Sequence, residues 1–401
     1  MIFIMRIALL FTIGMLLGAA PAESKPKPPE WLEMFTSIVQ GGDMGPGTGW
    51  FHDGQGRFGW EWLARKCDIN GDEQITAKEF PGSPEAFRKL DRDGDGRITK
   101  EDLDWADNSP YMQQYFFARQ LLRRGDTNRD NKLSEEEWLK LFRSASGSDP
   151  ELDAEKLRRL LYPPRPPMPS SSGANSGEPS MWTLLKGLYR CEIGSVCAGP
   201  GIDELAPNFR LSTHDGKQTL ELKQFRNQKP VVLVFGNFTC GPFRNSVGAV
   251  EALKKKYGEQ FEFIAIYVRE AHPTDGWRMV SNDRDGVIVA QPLNNAEKVK
   301  LATECTTRLK LTMPLLVDDI SDRVGNLYSG MPERLYLIDT EGRIVYKSGR
   351  GPFGFKVGEL EQSMLMLQLD EKPASKSKTA LPIPSTSAFQ LPLERENVFG
   401  K

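Results

Sequence analysis

The stretch Pro230–Phe243, PVVLVFGNFTCGPF, decides the fold of this 401-residue chain. Its first half, Pro230 to Gly236, is a continuous apolar run closed by chain breakers. A strand buried on both faces of a parallel sheet reads this way. Beyond Asn237-Phe238-Thr239-Cys240-Gly241-Pro242 the periodicity becomes helical, with Phe243, Val247, Val250, Leu253 and Tyr257 on one face and Gly258 as the stop. Cys240 therefore stands where a core strand turns into a helix N-terminus. Free amides and the helix dipole favour a thiolate there, so a lowered thiol pKa is expected.

Working outward, a second strand over Phe261–Val268 leads to Glu270-Ala271-His272. A hairpin over Arg334–Ile338 and Arg343–Tyr346 turns at Asp339-Thr340-Glu341-Gly342, and Gly330-Met331-Pro332 precedes it. That order is a thioredoxin-like plan, in which Pro332 falls where such folds place a cis-proline beside the reactive cysteine. Ligands of open α/β sheets gather at the C-terminal ends of strands, which brings His272 toward Cys240. Phe243 stands where thioredoxins carry the second cysteine of Cys-Gly-Pro-Cys. A resolving thiol would then be Cys305, Cys191, Cys197 or an external one.

Upstream, three twelve-residue segments place oxygen donors at positions 1, 3, 5, 7, 9 and 12, as a calcium ion with six to eight oxygen ligands requires. The first runs Asp68, Asn70, Asp72, Gln74 (carbonyl), Thr76 and Glu79. The second runs Asp91, Asp93, Asp95, Arg97 (carbonyl), Thr99 and Asp102. The third runs Asp126, Asn128, Asp130, Lys132 (carbonyl), Ser134 and Glu137. Ile75, Ile98 and Leu133 hold position 8, where paired loops share a short strand. The three segments resemble the EF-hand family. Position 6 needs a left-handed backbone; Gly96 supplies it and Asn131 tolerates it, whereas Glu73 costs about 1–2 kcal/mol. Asp102 is too short to guarantee the bidentate grip of a Glu. Calcium is thus expected to bind in the order third, second, first. Loop starts at 91 and 126 are 35 residues apart, a pairing distance, against 23 for the first two.

Residues 228–360 resemble the iodothyronine deiodinase family. The resemblance is carried by Thr239-Cys240-Gly241-Pro242-Phe243, Tyr267–Trp277 (YVREAHPTDGW), Glu333-Arg334-Leu335-Tyr336 and Gly349-Arg350-Gly351-Pro352. It implies a reductive site with its nucleophile at Cys240, assisted by Glu270, His272, Tyr267 and Arg334 and shaped by Thr239 and Pro332. Best-known members carry selenocysteine at the position of Cys240, so a broader or different substrate is expected. His272, oriented by Glu270, is assigned proton transfer. The partners implied are a small molecule, a halogenated aromatic being one candidate, and a thiol reductant. A thiol peroxidase and a calcium-dependent binding protein without catalysis are the competing readings.

Composition bounds the rest. With 52 Lys+Arg against 54 Asp+Glu, nothing points to nucleic acid, and 3 histidines leave little room for a multi-histidine metal enzyme. Arg6, the apolar run Ile7–Gly18 and Ala20-Pro21-Ala22 read as an export signal over 1–22, with no span expected after cleavage. Outside the cytoplasm a disulfide between Cys191 and Cys197 is expected, while Cys67 and Cys305 read as buried thiols. A Gly/Pro-rich segment (23–59) precedes an all-α EF-hand module (60–145). A helix over Pro150–Leu161 capped by Asp149 and a Pro/Ser-rich linker fill 146–182. The α/β thioredoxin-like domain follows over 183–370, and an unstructured tail over 371–401. The linker argues for two independent domains.

Overall fold

The computed structural model describes residues 29–41, 51–128, 132–162 and 180–371. The expected signal, most of the Pro/Ser-rich linker and nearly all of the tail lie outside these residues. Among them, no helix is long and apolar enough to cross a membrane. The strands are β1 (Gln55–Gly56), β2 (Ile75–Thr76), β3 (Arg97–Ile98), β4 (Arg210–Ser212), β5 (Thr219–Glu221), β6 (Val231–Gly236), β7 (Glu262–Tyr267), β8 (Leu315–Val317), β9 (Arg334–Ile338) and β10 (Ile344–Lys347).

All six residues of β6 are buried, as their unbroken apolar character requires of a central strand. The main sheet runs β1-β10-β9-β6-β7-β8. β6 pairs parallel with β7, Val231 opposite Glu262 through Gly236 opposite Tyr267, and antiparallel with β9, Phe235 opposite Arg334. This register brings three chain segments to one sheet edge: the C-terminal ends of β6 and β7 and the start of β9. The Gly241–Tyr257 helix follows directly from that edge and buries Phe243, Val247, Val250, Leu253 and Tyr257, the face read from the sequence. The Val357–Glu371 helix packs on this helix and on β9 and β10.

The calcium-loop region does not stand apart, contrary to the expected independence of the two domains. β1 extends the sheet by pairing with β10, Gln55 opposite Lys347. Phe58, Leu63, Cys67, Ile75, Phe80, Phe87, Leu90 and Ile98 belong to one apolar cluster with Leu360, Met364 and Val231 to Phe235 of β6. Trp105 Nε1 donates to Gln362, and Lys256 bridges Glu85 (2.7 Å) and Glu361 (3.2 Å). Exposed ion pairs contribute at most about 1 kcal/mol each. A buried Leu, Ile or Phe contributes about 1.5–3 kcal/mol, so the shared core is what joins the two regions. A linker's composition reports only on the linker. Here the joining surface comes from residues on either side of it.

The strand pairing within the hands also differs from expectation. β2 of the first loop pairs with β3 of the second, Ile75 opposite Ile98. The third loop is flanked instead by the helices Pro110–Gly125 and Glu135–Ser146, which pack together with Ala154–Leu161. The short Pro84–Leu90 helix between the first two loops shortens their separation without preventing the pairing. The helix expected from Pro150 begins at Ala154, because Asp153 caps it by accepting from Lys156 N. Asp149 is engaged earlier, by Glu151 N and the Lys156 ammonium.

The N-terminal segment, to which the sequence assigned no role, presses on the turn after β10. Phe51 meets Phe353 edge-on at 5.6 Å, and a Cβ on Gly349 would lie 2.3 Å from the His52 carbonyl oxygen. Gly349→Ala is therefore expected to cost about 1–3 kcal/mol by overpacking backbone against backbone. A lowered urea midpoint with unchanged slope is the measurement that checks it.

Candidate active site

Cys240 is the N-cap of the Gly241–Tyr257 helix, and its N–H donates to Asn237 Oδ1 (2.9 Å). The thiol is only 1% exposed, and Sγ–H donates to Glu333 Oε2 at 2.8 Å. Glu333, 2% exposed, opens onto this thiol from the residue after Pro332, whose peptide bond with Met331 is cis. The lowered thiol pKa expected from the helix terminus is not what this setting produces. Burial first, and the Glu333 carboxylate second, push the Cys240 thiol well up; the Phe243 amide and Arg244 pull the other way. Desolvation of a fully buried group is worth about 4–7 kcal/mol, against about 0.3–2 kcal/mol for a helix N-terminus. Burial wins. The same desolvation pushes the Glu333 carboxyl up to about 7.

A second network lies behind the cysteine. Glu270, fully buried, accepts from the Tyr267 hydroxyl and from Thr239 N (2.8 Å), and its own N–H donates to Gln291 Oε1 (2.9 Å). Burial raises the Glu270 carboxyl and pushes the Tyr267 phenol well up. Thr239 Oγ1 donates to Asn237 Oδ1 and accepts from the N–H groups of Ala271 and His272, each at 3.0 Å. Asn237 Nδ2 donates to the Pro332 carbonyl (3.0 Å). Asn237 thereby ties together the ends of β6 and β7 and the turn before β9.

His272 is not oriented by Glu270. Its Nδ1 bonds the Trp277 carbonyl (3.0 Å), and its ring packs edge-on against Trp277 at 4.8 Å. Burial lowers its pKa to about 4, so at neutral pH it is a neutral imidazole and supplies no cation to Cys240. Arg334 is also turned elsewhere, donating from Nε to the Ser348 carbonyl (3.1 Å). The guanidinium that acts on both Cys240 and His272 is Arg244, held by Phe238 O (2.8 Å), Asn282 (2.9 Å) and Asp285 (3.0 Å). Glu333 and Asn237 are the functional candidates missed by sequence reasoning. Their signal was position: Glu333 directly follows the proline beside the cysteine, and Asn237 directly follows the core strand.

Cys191 and Cys197 are free thiols, not a disulfide. Cys197 Sγ donates to the Asn326 carbonyl (2.7 Å), and Arg350 grips the carbonyls of Ser195 and Cys197. These contacts face the loop toward remote segments rather than toward Cys191. Cys67 and Cys305 are buried, and burial pushes the Cys305 thiol up, which ill suits it as a resolving group.

Among the described residues, the second acidic loop carries a donor set that fits calcium. Asp91, Asp93 and Asp95 offer carboxylate oxygens within 4.8 Å of one another. Asp102 closes this loop by accepting from Arg92 N (2.8 Å), Thr99 N (2.9 Å) and Thr99 Oγ1 (3.1 Å). Gly96 takes φ 89° and Glu73 of the first loop φ 61°, so both sixth positions are left-handed. In the third loop Asp130 and Asn131 lie outside the described residues. Its Glu137 forms a capping box with Ser134 and accepts from Thr127 N (2.9 Å). These bonds hold the Glu137 carboxyl down at about 2.

A family model described as iodothyronine deiodinase matches residues 180–367, and an EF-hand model matches 85–104 and 118–142. Thyroxine 5-deiodinase of Gallus gallus is 31% identical over 184 residues, covering 45% of this chain and 69% of that protein. The chain belongs to the iodothyronine deiodinase family. Thyroxine 5-deiodinase of Homo sapiens is 35% identical over 159 residues, covering 39% of this chain and 50% of that protein. Against the Ovis aries and Homo sapiens relatives, the chain of this deiodinase-family protein spans about half their length. A thiol-disulfide oxidoreductase from Bacteroides fragilis superposes with a TM-score of 0.28 at 17% identity, covering 40% of this chain and 98% of that one. The first calcium loop, 68–79, lies outside both matched segments.

Proposed function

We propose that this deiodinase-family chain is an exported, calcium-binding, thiol-dependent reductase that removes halogen from a small aromatic substrate through Cys240. The hydrogen bond from the Cys240 thiol to a buried carboxylate carries the reading. A nucleophile held neutral needs a base at contact distance, and Glu333, pushed up to about 7, is matched to a base operating near neutral pH.

Glu333 takes the thiol proton as the Sγ electron pair forms a bond to the halogen. The carbon–halogen bond breaks with its pair left on carbon, which takes up a proton. Sulfur now carries the halogen. One external thiol displaces halide to leave a mixed disulfide, and a second external thiol releases Cys240 and a low-molecular-weight disulfide. In sum, an aryl halide and two thiols become arene, hydrogen halide and one disulfide. His272, neutral with Nδ1 committed to Trp277, is suited to accept a phenolic hydroxyl at Nε2 rather than to deliver a proton. Calcium, when bound, would be held by the Asp91, Asp93 and Asp95 set and by the Asp126 to Glu137 loop. It would cross-link each loop to its flanking helices.

The test is halide release. With dithiothreitol and iodinated phenols, free iodide is expected in equal amount to the reduced arene. Peroxide consumption at Cys240 without iodide release would replace this reading by that of a thiol peroxidase. Calcium binding with neither reaction would leave a binding protein.

A further inference from the structure

The carbonyl that holds His272 belongs to a turn that is itself clamped from outside the strand-and-helix core. Glu192 lies between the Met181–Tyr189 helix and β4, and it is only 6% exposed. Its carboxylate accepts from Trp277 N (3.3 Å) and sits so close to Gly276 that a Cβ there would fall 2.8 Å from both of its oxygens. Arg190 supports the same turn, donating to the Asp275 carbonyl (3.3 Å) and facing Glu192 at 3.8 Å. On the far side Asp275 Oδ1 accepts from Gln291 N (2.9 Å), and Thr274 N donates to the Val289 carbonyl (2.8 Å).

A carbonyl oxygen only accepts, so the His272 Nδ1 bonded to Trp277 must carry the hydrogen. That leaves Nε2 as the free acceptor. We propose that Glu192 is a positioning residue for His272: by fixing the 273–277 turn it holds the Trp277 carbonyl on Nδ1 and so sets the tautomer that presents Nε2. The proposal deepens the reductase reading above, and its effect on turnover rests on that reading. Charged groups facing the imidazole are Arg244 from the Gly241–Tyr257 helix, whose charge lowers the ring pKa, and the Glu192–Arg190 pair behind the turn. Glu270, two residues earlier, is committed to Tyr267 and Thr239.

The test uses the full chain labelled with 15N-histidine. With 3 histidines the His272 signal is assignable by its loss in His272→Ala. In the wild type the ring is expected as the Nδ1–H form at pH 7, titrating near 4. Glu192→Ala removes the clamp, and Gly276→Ala displaces it by a methyl group. Both are expected to populate the Nε2–H form and to lower turnover at pH 7 by about 10²-fold, while the titration does not rise, because the Trp277 bond that they break is the contribution that raises the ring pKa. Glu192→Gln keeps an acceptor for Trp277 N and is expected to stay close to wild type. Should Glu192→Ala fail to fold, Gly276→Ala against Glu192→Gln decides. An unchanged Nδ1–H form in Gly276→Ala and Glu192→Ala overturns the proposal. If Cys240→Ser still turns over while these variants shift the tautomer, the reductase reading falls and the positioning of His272 stands.

Discussion

Cys240→Ser is expected to abolish turnover, and Glu333→Gln to lower it by about 10²–10⁴-fold, the usual contribution of a positioned general base. The pH dependence separates the two roles. The Glu333 carboxyl is pushed up to about 7 by burial, so its base form is lost as pH falls through that value, and wild-type turnover should fall with it. Gln does not titrate, so this acid limb disappears in Glu333→Gln. His272→Ala should keep the limb, because the imidazole titrates near 4. Thiol acidity moves in the opposite sense to turnover. The Glu333 charge helps to hold the Cys240 thiol up, so alkylation of Cys240 in Glu333→Gln should begin at lower pH than in wild type.

Stability should follow the same group. A carboxyl raised from its ordinary 4.5 to about 7 stabilises the fold fully below 4.5, and that contribution is lost as pH rises to 7. At pH 8 Glu333→Gln should therefore unfold at higher urea than wild type, by as much as ~3 kcal/mol. Normal turnover with its acid limb intact in Glu333→Gln would remove Glu333 from the mechanism.

Chelating calcium is expected to destabilise the whole described chain in one transition rather than melting the hands alone. Each site that binds only the folded state adds about 2.7 kcal/mol when free calcium is 100 times its dissociation constant. Phe87, Leu90 and Ile98 share their core with Leu360, Met364 and β6, so loss of order at the second loop removes packing from the sheet. Calorimetry with calcium and with a chelator should show a single endotherm that moves. Two endotherms, with only the lower one sensitive to calcium, would show that the shared core does not couple the regions. Within the shift, Glu137→Gln should have the larger effect and Glu79→Gln the smaller. Glu137 closes a loop already organised by Ser134 and Thr127, whereas Glu73 strains the first loop in a left-handed conformation.

The features legible in the sequence are those written within about a dozen consecutive residues. The apolar run of β6, the 3.6-residue spacing from Phe243 to Tyr257 and the alternate oxygens of the calcium loops each report on their own backbone. Cys240 at a strand-to-helix turn was legible for the same reason. Capping was legible only to within a few residues, since Asp149 and Asp153 are both residue types that cap helices and it is Asp153 that accepts from Lys156 N. Pairing among the hands was not legible from loop spacing, because Ile75 and Ile98 meet across the short Pro84–Leu90 helix. The disulfide failed likewise: closeness in sequence says nothing of where Asn326 and Arg350 hold the loop.

The sign of the Cys240 pKa shift was decided by tertiary structure alone. The helix N-terminus that lowers it is local, but the desolvation that raises it comes from segments that close over the thiol. The carboxylate that receives its hydrogen bond lies 93 residues away. Desolvation depends on everything that excludes water from a site, so it exists only once the chain has closed around Cys240.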